Sequence, residues 1–275
     1  MDSATAPGQW GTPQRLTVLE VFGAEGVYDD PTITNDGELY YAAAAVGEPA
    51  SIYRAQRQAD GSFATPSRVD ELSSEGSEST LWVSYDGLSF YLGRNQGEQR
   101  LMFSERASTN DSWSAPVALR AGATSTVNSP DTDALGQVSA DGLRIYFTSN
   151  RDDKYDFDLF MATRPNKAEP FDNVRKLPVT LAGEAEFSPK LSADELTMYY
   201  SARGETDGND TIEMFIAPRD SVDDDFTIGT SFFALNDAQA IDSDFTVDET
   251  DRLAFFSSAR DDLSEGRERI YMVER

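Results

Sequence analysis

Four carboxylates recur at one fixed place in this chain. Glu78, Asp133, Glu186 and Asp242 each stand eight residues before a turn marker, at Asp86, Asp141, Asp194 and Thr250. Eight to ten residues beyond each marker stands an arginine: Arg94, Arg151, Arg203 and Arg260. Residues equidistant from a tight turn face each other across an antiparallel hairpin, and a planar guanidinium matches a carboxylate through paired hydrogen bonds. Two kinds of chemistry fit this spacing. The four pairs could be internal ties that fix each hairpin, or the acids could form a ring around a common centre and hold a cation. The tie is the reading pursued, because a partnered carboxylate is a poor free ligand. The first marker, at Asp36, supports it. Tyr28 stands where the acid would be, and Ala44, Ala45 and Val46 where the arginine would be.

Acids with no matching arginine are the better candidates for binding or catalysis. Asp29 and Asp30 follow Tyr28, and Asp244 holds the matching place in the last copy. Tyr28, Asp29, Asp30 and Asp244 are therefore the candidate ligand-binding group. Two free carboxylates could perform general acid–base work of the glycosidase kind; the competing role is a solvated or capping one. No cofactor is expected, calcium being the one ion considered. Its candidate ligands are Asp152, Asp153 and Asp156 in an oxygen-rich loop, with similar runs at Asp207 to Asp210 and at Asp223 to Asp225. None of these matches the twelve-residue EF-hand pattern.

The elements that position these residues are repeats. An apolar run ending in arginine closes at Arg57, Arg106, Arg164, Arg219 and Arg275, at spacings of 49, 58, 55 and 56 residues. Each run is preceded by a turn and an aromatic strand, as in Asp141-Gly142-Leu143-Arg144-Ile145-Tyr146-Phe147. Asp-Gly between apolar runs is a strong hairpin signal. The fourth and fifth copies lack the glycine, which leaves a different turn type open to them. The aromatic pairs Tyr40-Tyr41, Tyr146-Phe147, Tyr199-Tyr200 and Phe255-Phe256 read as core at strand period. A third marker, an aromatic followed by a short strand, begins at Phe63, Trp113, Phe171 and Phe226. Its fifth copy stands at the other end of the chain, at Trp10. The N-terminal strand therefore completes the last repeat, as ring closure requires.

Four strands per repeat, five repeats and a closed ring predict an all-β, five-bladed β-propeller with antiparallel blades. Residues 1–8 read as a flexible tether and residues 9–275 as a single propeller domain. The 49 acidic and 23 basic residues give a net charge of −26, which repels nucleic acid and anionic lipid. No cysteine or histidine is present, so disulfides, thiol catalysis, histidine bases and the commonest zinc ligands are excluded. No apolar run approaches the length of a membrane span, so no membrane insertion is expected.

The pattern W-x-x-P-x-x-L, an acid, S-x-D-G-x-x-h-Y-F-x-S-x-R, then D-h-F resembles the WD40-like, TolB-type propeller repeat of bacterial envelope proteins. The third repeat carries it best, through Trp113, Pro116, Leu119, Ser139, Asp141, Gly142, Tyr146, Phe147, Ser149, Arg151, Asp158 and Phe160. The resemblance implies an exported bacterial protein, periplasmic or on the outer surface. Relatives of this type bind proteins, peptides or glycans and some are enzymes; the leading expectation here is a non-catalytic, monomeric module that binds a protein, peptide or glycan at one face of the ring. The alternative is a glycan hydrolase or lyase with an Asp/Glu centre at the channel mouth.

Overall fold

The computed structural model describes residues 9–97, 99–179, 185–203, 211–262 and 265–275. The expected tether (residues 1–8) and the acidic run Asp207 to Asp210 lie outside the described residues. The rest forms five four-stranded antiparallel sheets arranged as a propeller. Blade 1 runs Gly26–Ile33, Glu38–Ala45, Ser51–Gln56 and Ser67–Arg68 from axis to rim. Blades 2, 3 and 4 repeat the order, beginning at Ser77–Val83, Asp133–Val138 and Glu186–Leu191. Blade 5 begins at Asp242–Val247 and continues through Leu253–Ser258 and Arg269–Glu274. Its outermost strand is Gln14–Arg15, with Gln14 opposite Met272 and Arg15 opposite Tyr271. The ring closes as expected, and Arg275 seals the join by stacking over Trp10, 4.2 Å from the ring centre.

Each strand buries alternate side chains against opposite neighbours. Tyr40 packs with Val83, Phe90 and Trp113 of blade 2, and the next residue, Tyr41, packs with Phe255 and Ile270 of blade 5. Five such apolar clusters fill the five seams. The arginines that end the apolar runs lie over the aromatics of the third marker: Arg106 on Trp113, Arg164 on Phe171 and Arg219 on Phe226. The Nε atoms of Arg106 and Arg164 donate to the carbonyls of the turn glycines, Gly87 and Gly142. The two turns that lack glycine keep the same shape. Glu195 and Asp251 adopt φ of 60° and 53°, where Gly87 and Gly142 have 69° and 75°. Their side chains compensate for the strain by reaching the preceding blade, where Glu195 accepts from Ala140 N–H and Asp251 from Ala193 N–H.

The feature that shapes the centre is a bulge in every innermost strand. The register slips by one residue between Asp29 and Thr32, Ser79 and Trp82, Leu135 and Gln137, Phe187 and Lys190, and Ser243 and Thr246. Asp30, Thr80, Ser188 and Asp244 occupy equivalent bulge positions, with φ of 54°, 51°, 51° and 54°. A bulge bends its strand and re-aims one side chain. Here the bulge falls on the third residue of the repeat position that Tyr28, Glu78, Glu186 and Asp242 begin, at Asp30, Thr80, Ser188 and Asp244. Blades approach closely at this level: a Cβ on Gly136 would sit 2.2 Å from the Pro189 carbonyl of blade 4, so only glycine fits there.

Candidate functional site

The acid–arginine pairs lie at the start of each hairpin, and their geometry is that of clamps. Arg94 Nε lies 2.9 Å from Glu78, Arg151 Nη2 2.7 Å from Asp133, and Arg260 Nη2 2.7 Å from Asp242. All three carboxylates are fully buried. Direct facing across the hairpin occurs in blade 2, where Glu78 is opposite Arg94. In blades 3 and 5 the acid is opposite a serine, Ser149 or Ser258, and the arginine hooks back from two residues further on. Each of these arginines also binds carbonyls of the loop leading into its blade: Leu72, Thr126 and Val127, and Leu235. In blade 4, Glu186 is fully buried opposite Ala202, one residue before Arg203.

Blade 1 achieves the same closure by other means. Tyr28, grouped from sequence with the ligand-binding residues, is instead fully buried in the seam between blades 5 and 1. Its hydroxyl accepts from Phe22 N–H and donates to the Gly23 carbonyl, which fastens the entry loop. Arg269 of blade 5 donates to the carbonyls of Gly26 and Ala24 and so replaces the missing arginine. Tyr28 therefore substitutes for a clamp, and its ring is not available to a ligand.

The acids without arginine converge. Ligand oxygens of Asp29, Asp244 and Glu268 all lie within 4.8 Å of one another. Asp30 is buried beside them, accepting from Thr80 N–H of blade 2 at 2.6 Å. Asp30 and Asp244 come from equivalent bulges of neighbouring blades, which is why they approach. Glu268 was not foreseen from sequence: it lies outside the repeat's marked positions, just before the strand Arg269–Glu274, and accepts from Ser243 Oγ at 2.8 Å. Lys190 was also missed. Its side chain is fully buried, and its ammonium donates to the carbonyls of Leu81 and Gly136, at 2.6 and 2.7 Å. A lone lysine among the apolar and small residues that follow Glu186 in its strand was the one available signal.

The electrostatics follow from enclosure. Burial, reinforced by the charges of Glu268, Asp244 and Asp30, holds Asp29 well above the usual carboxylate range. Burial and Asp244 do the same to Asp30, against the pull of Thr80 N–H and Lys190. Burial and Asp244 push Glu268 up to about 7. Burial drives Lys190 down to about 8 although Asp30, Asp244 and Asp29 surround it. Four carboxylates and one ammonium thus share a low-dielectric centre, a combination that favours either protons or a further cation. The loop first considered for calcium is different. Asp152 and Asp153 are exposed at a hairpin tip, Asp153 paired with Asp156 in the strand register, and Asp158 beyond them binds Lys176 at 2.6 Å. Among the described residues, only Asp29, Asp244 and Glu268 form a three-carboxylate group of metal-ligand spacing.

At the opposite end of the innermost strands lies a second concavity. A cavity of about 190 Å³ is lined from four blades, including Asn35, Trp82, Tyr85, Val138, Lys167 and Glu249. Burial first, then the charges of Asp251, Asp248 and Glu249, raise the Tyr85 phenol. Among the described residues no helix is long and apolar enough to cross a membrane.

No family model and no curated protein matches this sequence. Solved structures do match. A putative TolB from Agrobacterium tumefaciens is 12% identical, with 90% of each chain covered and a TM-score of 0.52. The arabinanase of Bacillus subtilis is 11% identical over 90% of this chain and 93% of that one, at a TM-score of 0.58. An α-L-arabinofuranosidase from Podospora anserina is 14% identical over 97% and 96%, also at 0.58. At these identities the likeness is one of fold.

Proposed function

We propose, for a chain whose fold fits a TolB-type five-bladed propeller, a non-catalytic binding module. Its ligand is a protein, peptide or glycan engaged at the turn-side mouth of the ring. The observation that carries this reading is the 190 Å³ concavity lined from four blades. It offers an aromatic hydroxyl (Tyr85), an amide (Asn35) and charges of both signs (Lys167, Glu249). A site of that size takes one side chain or one sugar ring and fits recognition of a terminus or tip. The fold likeness to TolB supports a protein ligand and an exported, periplasmic or cell-surface location. The acidic centre, by contrast, is enclosed and turned on itself. The nearest oxygens of Asp29, Asp244 and Glu268 lie within 4.8 Å of one another.

One observation favours the alternative. Glu268, held near 7 beside Asp244, would supply an acid and a base at neutral pH, and two of the similar structures are by name an arabinanase and an α-L-arabinofuranosidase. Both readings are separated by one set of measurements. A peptide display library and a soluble glycan panel are screened against the wild type and Tyr85→Ala. Ligands lost by Tyr85→Ala support the turn-side mouth. Release of reducing sugar from arabinan that disappears in Asp244→Asn and Glu268→Gln would instead establish the enzyme and overturn the binder.

A further inference from the structure

We infer that the turn-side mouth recognises a basic side chain, lysine or arginine, carried on a peptide with a carboxylate beside it. This rests on the binding reading of that cavity and names its ligand. The walls of the cavity differ in charge. Arg164 and Lys167 line it from blade 3, and Glu249 lines it from blade 5. Arg164 is engaged within the fold: its Nε donates to the Gly142 carbonyl, its Nη2 to the Tyr91 hydroxyl, and the guanidinium stacks 4.2 Å from the Phe171 ring centre. Lys167 and Glu249 are not so engaged. Both are exposed, and among the described residues neither side chain makes an ion pair or a hydrogen bond. Lys167 is nonetheless held in place. Its stem lies over the turn glycine, where a Cβ on Gly142 would sit 2.7 Å from Lys167 Cε.

Tyr85 sets the end at which the cation sits. It lines the cavity from blade 2, and its hydroxyl has no hydrogen-bond partner among the described residues. The charges acting on the phenol are Asp251, Asp248, Glu249 and Glu195, all from the turns of blades 4 and 5. Three of them are already held: Asp251 accepts from Ala193 N–H, Asp248 from Arg252 N–H, and Glu195 from Ala140 N–H and Arg144. Glu249 is left for a ligand. An aromatic face in a negative field, beside a carboxylate without a partner, attracts an ammonium or guanidinium through ring and charge together. Lys167, at the blade 3 end, repels a second cation and accepts a carboxylate. Two sources fit that carboxylate, an adjacent Asp or Glu and the free C-terminus of the peptide. A neutral sugar ring would answer neither charge. The net charge of −26 adds long-range attraction for a basic partner.

The test uses fluorescein-labelled heptapeptides in a Gly-Ser frame, read by anisotropy. Their centres carry Arg-Asp, Arg alone, Asp alone or neither, and a further pair ends in arginine as free acid or as amide. The Arg-Asp peptide should bind most tightly, and its binding should weaken as salt is raised. Glu249→Gln should weaken it about tenfold, the worth of one hydrogen bond to a charged group. Lys167→Met should weaken the Arg-Asp peptide but not the Arg-only one. Both residues are exposed, so both variants should melt as the wild type does. A free acid binding better than its amide supports the inference as well, and assigns the carboxylate to a chain end. An Asp-only or neutral peptide binding as tightly as Arg-Asp would overturn it, as would an affinity unchanged by Glu249→Gln. Library or glycan ligands that are lost in Tyr85→Ala but carry no basic group would overturn it and leave the binding reading standing. No ligand of any kind would sink both.

Discussion

Carboxylates of one chemical type behave in two ways in this molecule, and the difference is the company each keeps. Asp133 accepts from Ser129, Ser149 and Arg151 together, so its charge is compensated where it is buried. Asp30 has one backbone N–H and the field of Lys190. Lys190 is the basic side chain whose field acts on Asp30, and its ammonium also serves the carbonyls of Leu81 and Gly136. Lys190→Met is expected to cost about 3–5 kcal/mol near pH 8, the range for removing one partner of a buried charge pair. The sign with pH follows from the carboxylates. Asp30 is already held above its unfolded value, and loss of the ammonium raises it further. A raised carboxyl contributes stability at low pH that is lost as pH rises through its folded value. The deficit of Lys190→Met should therefore shrink at pH 5, where the acids carry protons. Equal losses in urea melts at pH 5 and pH 8 would contradict this account of the centre.

At the scale of elements, the repeating unit is a hairpin with three fixings: a clamp where the chain enters, a bulge toward the axis and an arginine stacked at the turn. The clamp joins the hairpin to its entry loop, because Arg151 binds Asp133 and also the carbonyls of Thr126 and Val127. Removing Arg151 alone leaves a fully buried carboxylate without its counter-charge and two loop carbonyls without their donor. Arg151→Ala should cost about 3–5 kcal/mol. Asp133→Asn/Arg151→Ala should cost less than the sum of the single changes, with a coupling of about 1–3 kcal/mol. A cycle closing with zero coupling would mean that the arginine serves the loop alone. The bulge is the element that brings the central acids together, since Asp30 and Asp244 occupy equivalent bulges of neighbouring blades and each feels the other's charge.

For the whole molecule, stability rests on closure. A ring with one open seam exposes an apolar face and an unpaired strand edge on the last blade. Closure here uses a short strand, Gln14–Arg15, reinforced by Gly11 N–H on the Glu274 carbonyl and by the Trp10–Arg275 stack. Deleting residues 1–17 should lower the melting temperature by many degrees and broaden the transition. A melt unchanged by the deletion, followed by circular dichroism, would show that the ring does not depend on this strand.

Most of this architecture was legible in the sequence because it is periodic. Apolar runs ending in arginine, aromatic strands and turn markers recur at near-constant spacing, and a displaced fifth copy at Trp10 announces closure. The clamps of blades 2, 3 and 5 were legible for the same reason, and the two extra residues between acid and arginine in blades 3 and 5 are what moves the arginine past the facing position there. Asp29, Asp30 and Asp244 stood out by lacking an arginine. Glu268 and Lys190 did not, since each occurs once and no period points to it. Tyr28 was misplaced because its position in the repeat was read without its rotamer: burial in the seam directs its hydroxyl to the entry loop. Periodic contacts are local and repeat with the chain, so sequence determines them. The centre is built from single residues on strands that begin as far apart as Gly26 and Arg269, and only the closed ring decides that they meet.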